Sequence, residues 1–156
     1  GFYLTGDSGF LDSDGFVYVM GRTDDVINVA GHRLSTGRME EVLAADSAVA
    51  ECAVVAKKDP DKGEIPVGFV ILNLGFNAKE KEVVESLVGL MRESVGAFAN
   101  FKLVIFVEKL PKTRSGKILR RLLRSMIDGE TYSIPSTIED PSVIKHIETK
   151  LSRTAP

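Results

Sequence analysis

Hydrophobic and polar positions alternate in two different ways along the chain. Up to residue 34, short extended runs at 16–20 and 26–29 are separated by turns rich in Gly and Asp. This pattern predicts small β-hairpins rather than a unit with its own core. From Ser35 or Thr36, either of which can cap a helix, the apolar residues follow helical spacing, so we predict a helix next.

The later elements follow from the length and spacing of the apolar runs. They predict three strands, at 49–56, 65–72 and 101–107. They also predict two helices, at 79–95 and 118–128. The order strand, helix, strand, strand, helix, strand, helix predicts an α+β fold with helices flanking a small sheet. Residues 130–156 are polar and contain three prolines, so we predict a peripheral tail with one short helix near 142–151.

Composition narrows the class of protein. The chain has 156 residues, of which 44% are hydrophobic and 27% charged, and its formal net charge is −2. These values are ordinary for one soluble globular domain, and the balanced charge offers no general attraction for nucleic acid or an acidic membrane. No apolar run approaches the ~20 residues that a membrane-spanning helix needs. The chain begins with Gly1 and no targeting pattern follows, so we expect an excised domain boundary there.

Cys52 is the only cysteine, which excludes an intrachain disulfide and a cysteine metal cluster. Its neighbours are apolar and belong to the strand predicted at 49–56. We therefore predict that the thiol packs in the core.

Three polar segments have features that packing does not require. The first is Thr5-Gly6-Asp7, where a carboxylate can accept hydrogen bonds from a diol such as ribose, although Gly-Asp is also a common turn pair. The second, residues 21–34, crowds arginines, aspartates and glycines into an extended stretch. Such arginines suit phosphate oxygens and a glycine admits a ligand close to the backbone, but an ordinary polar hairpin has the same composition.

The third segment, residues 110–118, places small residues and Lys117 ahead of an amphipathic helix. Position 111 is Pro rather than Gly and Ile118 follows the lysine, which argues against a P-loop nucleotidase. The loop either delivers its ammonium to an anionic reaction centre or solvates the start of the helix. The adjoining basic face could bind nucleic acid, meet an acidic surface or substrate phosphates, or remain solvated. Its members are Arg114, Lys117, Arg120, Arg121 and Arg124.

Taken in this order and spacing, the three segments resemble the adenylate-forming superfamily over residues 1 to about 129. The strings VINVAGHRL (26–34) and LPKTRSGK (110–117) are most similar to short-chain acyl-CoA synthetases that act on acetate or propionate. The resemblance implies the carboxy-terminal domain of these enzymes, with a small mixed sheet. It also implies the end of a large amino-terminal domain at 1–23, a mobile carboxy-terminal domain at 24–129 and a peripheral tail at 130–156.

The resemblance implies a role for each matching residue. Lys117 would be the catalytic lysine of adenylation and also a site of acetylation. Asp7 and Arg22 would bind the ribose of ATP and of the acyl-adenylate, and Arg33 would lie near the nucleotide phosphates. Asp24 would be the hinge about which the small domain rotates between the two half-reactions.

CoA contacts are implied in the same way. Ala30 and Gly31 would line the pantetheine tunnel, and Arg92 would contact the 3′-phosphate of CoA. Some relatives bind a cation near the helix end around Ala44, Asp46 and Val49. Asp46 stands where they have His, so a cation site there stays open and no metal ligand is assigned. We expect His32 to pack or hydrogen-bond, because no acid–base step in this chemistry requires it.

By this resemblance, the full-length enzyme would convert acetate or propionate, ATP and CoA into acyl-CoA, AMP and pyrophosphate through an acyl-adenylate, with Mg²⁺ on the pyrophosphate. Its partner would be its own amino-terminal domain, without nucleic acid or membrane. Its compartment would be the mitochondrial matrix and its role lipid and fatty acid metabolism. We expect the isolated chain to be inactive. Two alternatives remain open: an adenylation domain that loads a carrier protein, and a non-catalytic anion-binding module.

Overall fold

The computed structural model describes residues 2–3, 5–75 and 79–154. Within these ranges the strands are β1 (Asp7–Leu11), β2 (Val17–Arg22), β3 (Val26–Val29), β4 (His32–Ser35), β5 (Val49–Asp59), β6 (Gly63–Leu72) and β7 (Leu103–Phe106). The α-helices are α1 (Thr36–Ala44), α2 (Glu80–Ser94), α3 (Arg120–Ile127) and α4 (Ser142–Thr154). None of the described helices is long and apolar enough to cross a membrane.

The main sheet has five strands and is mixed. β5 and β6 form a long antiparallel pair, β7 runs parallel to β6, and β3 pairs with β6 at Val29 and Gly63. β4 pairs with β3 in an antiparallel hairpin at the far end. The predicted α+β fold, with a small mixed sheet and flanking helices, is confirmed.

Both faces of the sheet are buried along β5 and β6. Along β5 and β6 the side chains alternate, so that Val54 and Val70 pack against α1 and α2, whereas Val55 and Phe69 pack against α3 and α4. A strand covered on both faces has apolar residues at odd and even positions. This explains why β5 was predicted from a continuous apolar run.

Helix α1 begins as predicted. Ser35 is its N-cap, and the Ser35 Oγ accepts a hydrogen bond from the Arg38 N–H at 3.4 Å. The cap satisfies one of the N–H groups that a helix leaves unpaired at its start.

Small β-hairpins form at the start of the chain, as predicted, but the second of them is built into the main core through β3. Ile27 and Val29 are 0% and 1% exposed, and both belong to the cluster beneath α1 and α2. The reason is tertiary, because β3 joins the main sheet through β6. The β1–β2 hairpin stays outside the core, as predicted, and pairs only with itself.

The prediction of a peripheral tail at 130–156 is wrong for its buried part. Ile138, Val143, Ile144 and Ile147 are at most 5% exposed and cover the second face of the sheet. Helix α4 therefore completes the core. The polar composition and prolines of this segment obscured the apolar stripe that the helix presents to the sheet.

Candidate functional site

Lys117 lies in a tight loop of residues 110–119, here called the lysine loop. Thr113 holds the Lys117 backbone twice: the Thr113 N–H donates to the Lys117 carbonyl at 2.8 Å, and the Thr113 Oγ1 accepts from the Lys117 N–H at 3.1 Å. Gly116 closes the turn with φ of +81°, a conformation that suits glycine. The side chain of Lys117 is exposed. The loop thus combines a hydrogen-bonded backbone with an ammonium directed to solvent.

Helix α3 begins at Arg120, two residues later than the predicted start. Lys117 therefore belongs to the loop rather than to the head of the helix. The Leu119 N–H donates to the Pro111 carbonyl at 2.8 Å, which closes the base of the lysine loop just before the helix.

Two arginines of the predicted basic face are used inside the domain. Arg120 binds Glu40 with both ends of its guanidinium, at 3.0 Å from Nε to Oε1 and 2.7 Å from Nη2 to Oε2. This hydrogen bonding raises the pKa of Arg120. Arg124 pairs with Glu64 at 2.6 Å. The face is therefore only partly available to anions, and helix α3 is anchored to α1 and β6. Sequence reasoning missed Glu40, because 80 positions separate it from Arg120 and no local pattern pairs them.

Asp7 and Arg22 are brought together by the first hairpin. They are register partners in the β1–β2 ladder. The Arg22 guanidinium lies over Gly6, where an added Cβ would be 3.3 Å from Nη2. Arg33 lies in a different sheet, opposite Asn28 in the β3–β4 hairpin, and is exposed.

The predicted hinge falls between two hydrogen-bonded units. The Thr23 N–H and Oγ1 both donate to the Gly6 carbonyl at 2.8 Å, which ties Thr23 to the first hairpin. The Thr36 Oγ1 donates to the Asp25 carbonyl at 3.2 Å, which ties Asp25 to helix α1. Asp24 is the backbone link between them, in the centre of the 3-10 turn Thr23–Asp25.

Ala30 and Gly31 form the two-residue turn between β3 and β4, here called the glycine turn. Their φ angles are +48° and +87°, as a hairpin turn of this length requires. Ala30 costs on the order of 1 kcal/mol in this conformation, since it carries a Cβ. Around Gly31 an added Cβ would meet nothing within 4 Å, so the tip of the turn is open to an approaching ligand.

The third predicted CoA-binding residue lies on a neighbouring segment. Arg92 is in the last turn of α2 and, with Lys102 and Asn100, lines a hollow of about 250 Å³. The turn after α2 contacts β4 through the rings of Phe98 and His32, whose centroids are 4.7 Å apart. The predicted packing role of His32 is thereby confirmed.

Asp46 is occupied by hydrogen bonds within the domain. Its Oδ1 accepts from the Ala48 N–H at 2.9 Å and its Oδ2 from the Ser86 hydroxyl at 2.7 Å, which links the end of α1 to α2. Among the described residues, no three His, Cys, Asp or Glu side chains lie together as a metal-binding group.

Cys52 packs in the core, as predicted, with 9% of its surface exposed. Burial, with smaller contributions from the Glu40 and Glu51 carboxylates, raises the pKa of its thiol to about 11. The thiol therefore stays protonated at neutral pH and is a poor nucleophile.

The lysine loop and the glycine turn lie at opposite ends of strand β5. The Ala30 N–H donates to the Lys62 carbonyl at 2.8 Å, so the glycine turn contacts the turn that follows Asp59. Lys112 in the lysine loop pairs with Glu51 at 2.6 Å, near the start of the same strand. At about 3.3 Å per residue, Glu51 and Asp59 are roughly 26 Å apart. One reaction centre therefore cannot touch both segments in a single orientation of the domain.

Comparisons with known proteins agree with this architecture. The family model described as AMP-binding enzyme C-terminal domain matches residues 38–117. An uncharacterised protein of Pseudomonas aeruginosa is 56% identical over 97% of this chain and 24% of its own length. The mitochondrial acyl-CoA synthetase short-chain family member 3 of Homo sapiens is 48% identical over 98% of this chain and 22% of its own length. The crystal structure of an acyl-CoA synthetase of Brucella canis superposes with a TM-score of 0.62, at 41% identity, over 78% of this chain and 22% of that one.

These matches define the class of protein. The domain is of the kind that adenylate-forming enzymes carry at their carboxyl end, and the resemblance inferred from the sequence is confirmed. The chain belongs to the family of AMP-binding enzyme C-terminal domains. It spans about a quarter of the length of the curated relatives that it matches.

Proposed function

We propose that this chain acts as the lid domain of an AMP-forming short-chain acyl-CoA synthetase. In the full-length enzyme, a small carboxylate such as acetate or propionate attacks the α-phosphate of ATP, and pyrophosphate leaves. The thiol of CoA then attacks the acyl-adenylate, and AMP leaves. The observation that carries this proposal is that the two segments contact opposite ends of β5: the lysine loop pairs with Glu51 near its start, and the glycine turn contacts Lys62 just beyond its end.

The two half-reactions make incompatible demands on one reaction centre. Adenylation concentrates negative charge on the phosphate oxygens, and a positioned cation lowers that barrier by about 3 kcal/mol. CoA must later reach the same carbonyl carbon, so the cation has to withdraw. A domain with the lysine loop at one end and an open glycine turn at the other meets both demands by rotation.

The hydrogen bonds around Asp24 support a rotation at this residue. Thr23 is tied to the first hairpin and Asp25 to helix α1, so torsion about the intervening residue moves one unit against the other. The hairpin also leaves large apolar side chains exposed, which supports its assignment, with residues 1–23, to the large domain. These side chains are Phe10, Leu11, Phe16, Val17, Tyr18 and Val19.

The substrate-binding residues are assigned by the same reasoning. Asp7 and Arg22 would bind ribose, a role that their pairing in one hairpin supports, and Arg33 would contact phosphate after rotation. Ala30 and Gly31 would line the path of pantetheine, and Arg92 would bind the 3′-phosphate of CoA.

The substitution Lys117→Gln in the full-length enzyme tests the proposal. We expect pyrophosphate exchange into ATP, which reports adenylation, to fall about 100-fold or more. Thioester formation from supplied acyl-adenylate should be unchanged, because the lysine loop has withdrawn by then. Lys81→Gln is the matched control, since Lys81 is an exposed lysine at the start of α2 that pairs only loosely with Glu85 at 3.9 Å. If Lys117→Gln leaves adenylation intact, the assignment of Lys117 is wrong.

Two further assays define the substrate and the acceptor. Acylation of free CoA, with no carrier protein present, would exclude the alternative of a carrier-loading domain. Rates with acetate and with propionate would establish which acyl group the full-length enzyme prefers. We assign that choice to an acyl-binding pocket in the large amino-terminal domain. We propose no compartment: the relative from Homo sapiens is named as mitochondrial, whereas a relative that is 56% identical is bacterial.

A further inference from the structure

Residues 137–139, here called the strap, lie beside the lysine loop. Isolated antiparallel β-bridges link Thr113 to Ile138 and Lys112 to Ile118. The segment 112–114 therefore lies in the middle. Lys117 and Ile118 lie along one of its edges, and the strap lies along the other.

Two backbone hydrogen bonds hold the strap to the loop. The Arg114 N–H donates to the Thr137 carbonyl at 3.0 Å, and the Glu139 N–H donates to the Lys112 carbonyl at 2.9 Å. These two bonds flank Thr113. Thr113 in turn binds both the carbonyl and the N–H of Lys117, through its own N–H and its Oγ1. A displacement of the strap is therefore passed to Lys117 through one residue.

The strap itself is fixed from both sides. Ile138 is 5% exposed and belongs to the same apolar cluster as Leu110 and Leu123. Immediately after the strap, Asp140 accepts hydrogen bonds from the N–H of Ser142 at 3.0 Å and from its hydroxyl at 2.6 Å, at the start of α4. The buried face of α4 then secures the segment against the sheet. The strap is thus held more rigidly than an exposed loop, and it can therefore position the lysine loop.

We infer that the strap positions Lys117 for adenylation. This rests on the proposed function of Lys117 and gives residues 130–156 a role in that function. None of the strap residues needs to touch substrate. Through Thr113, the strap sets the path of the loop backbone, and a displacement of about 1 Å at a reacting group can lower a rate about 100-fold.

The substitution Glu139→Pro in the full-length enzyme tests this inference. Proline removes the N–H that donates to the Lys112 carbonyl, whereas the control Glu139→Ala keeps it and changes only an exposed side chain. In Glu139→Pro we expect faster hydrogen exchange at the amides of Thr113, Arg114 and Lys117. We also expect adenylation to fall by about 10-fold to 100-fold, with thioester formation from acyl-adenylate unchanged. Glu139→Ala should match the unmodified enzyme in all three measurements.

A second pair of variants covers the case in which Glu139→Pro does not fold. Ile138→Ala and Ile144→Ala remove equally buried side chains from one cluster, at 5% and 3% exposure, but only Ile138 belongs to the strap. At equal losses of thermal stability, only Ile138→Ala should accelerate exchange in the lysine loop and slow adenylation.

Two results would overturn the inference. One is unchanged amide exchange in the lysine loop of Glu139→Pro. The other is unchanged adenylation in that variant when Lys117→Gln abolishes it. If Lys117→Gln itself has no effect, the proposed function fails instead, and the exchange measurement alone decides whether the strap holds the loop.

Discussion

Glu40 joins the two helical layers of the domain across the edge of the sheet that β5 forms. Its carboxylate accepts from the Val54 N–H at 2.9 Å and from Arg120 at 3.0 and 2.7 Å. Glu40 belongs to α1 on one face, and Arg120 to α3 on the other. An edge strand with unpaired N–H groups invites further strand pairing, and here a carboxylate occupies one of those groups. We therefore expect Glu40→Ala to destabilise the fold more than any surface charge substitution on α1.

The expected loss follows from the two groups left without a partner. Val54 is 0% exposed, and a buried N–H without an acceptor costs about 1–3 kcal/mol. Breaking a fully buried ion pair costs about 3–5 kcal/mol, but 27% of the Arg120 side chain reaches solvent, which reduces that part to about 1–2 kcal/mol. Together these give a decrease of about 3 kcal/mol in the free energy of unfolding.

Urea unfolding at neutral pH measures this decrease. Glu40→Gln keeps an acceptor for the Val54 N–H but removes the charge, so its loss should be smaller, at about 1 kcal/mol. The control is Glu41→Ala: Glu41 is the next residue, its side chain is 70% exposed, and it pairs only with Arg38. Its expected effect is below about 0.5 kcal/mol. If Glu40→Ala is no more destabilising than Glu41→Ala, the edge-spanning role of Glu40 is refuted.

Two further predictions concern a close approach at Gly68 and the buried thiol of Cys52. Gly68→Ala should lower the free energy of unfolding by about 1–3 kcal/mol, because its Cβ would lie 2.9 Å from the Phe101 ring. At Gly89 in α2 an added Cβ meets open space, so Gly89→Ala should raise the free energy of unfolding by up to about 1 kcal/mol. Equal effects of the two in thermal unfolding would contradict the close approach at Gly68. Burial raises the pKa of Cys52 from 9.0 to about 11, so the unfolded chain loses the thiol proton first and stability should fall as the pH rises between these values. Urea titrations of Cys52→Ala should lack this decline, and its persistence would assign the decline to other groups.

The elements of the fold could largely be predicted from the sequence. The main strands and helices lie within three residues of their predicted ends, because apolar spacing and capping residues act over a few positions. Local patterns did not indicate where an element depends on a distant partner. Strand β3 enters the core by joining β6 at Gly63, and helix α4 by covering the sheet face that holds Phe69.

The candidate site divides in the same way. The chemistry of Asp7, Arg22, Lys117 and the glycine turn was predicted from residue types in short segments, and their individual roles stay predictions. The sequence by itself determined the family, because the matching residues form short local strings, and the reaction proposed for the full-length enzyme follows from that resemblance. Only the tertiary structure decided that the lysine loop and the glycine turn lie at opposite ends of β5. It also showed that the strap borders the lysine loop, since both relations depend on strand pairing between residues far apart in the chain.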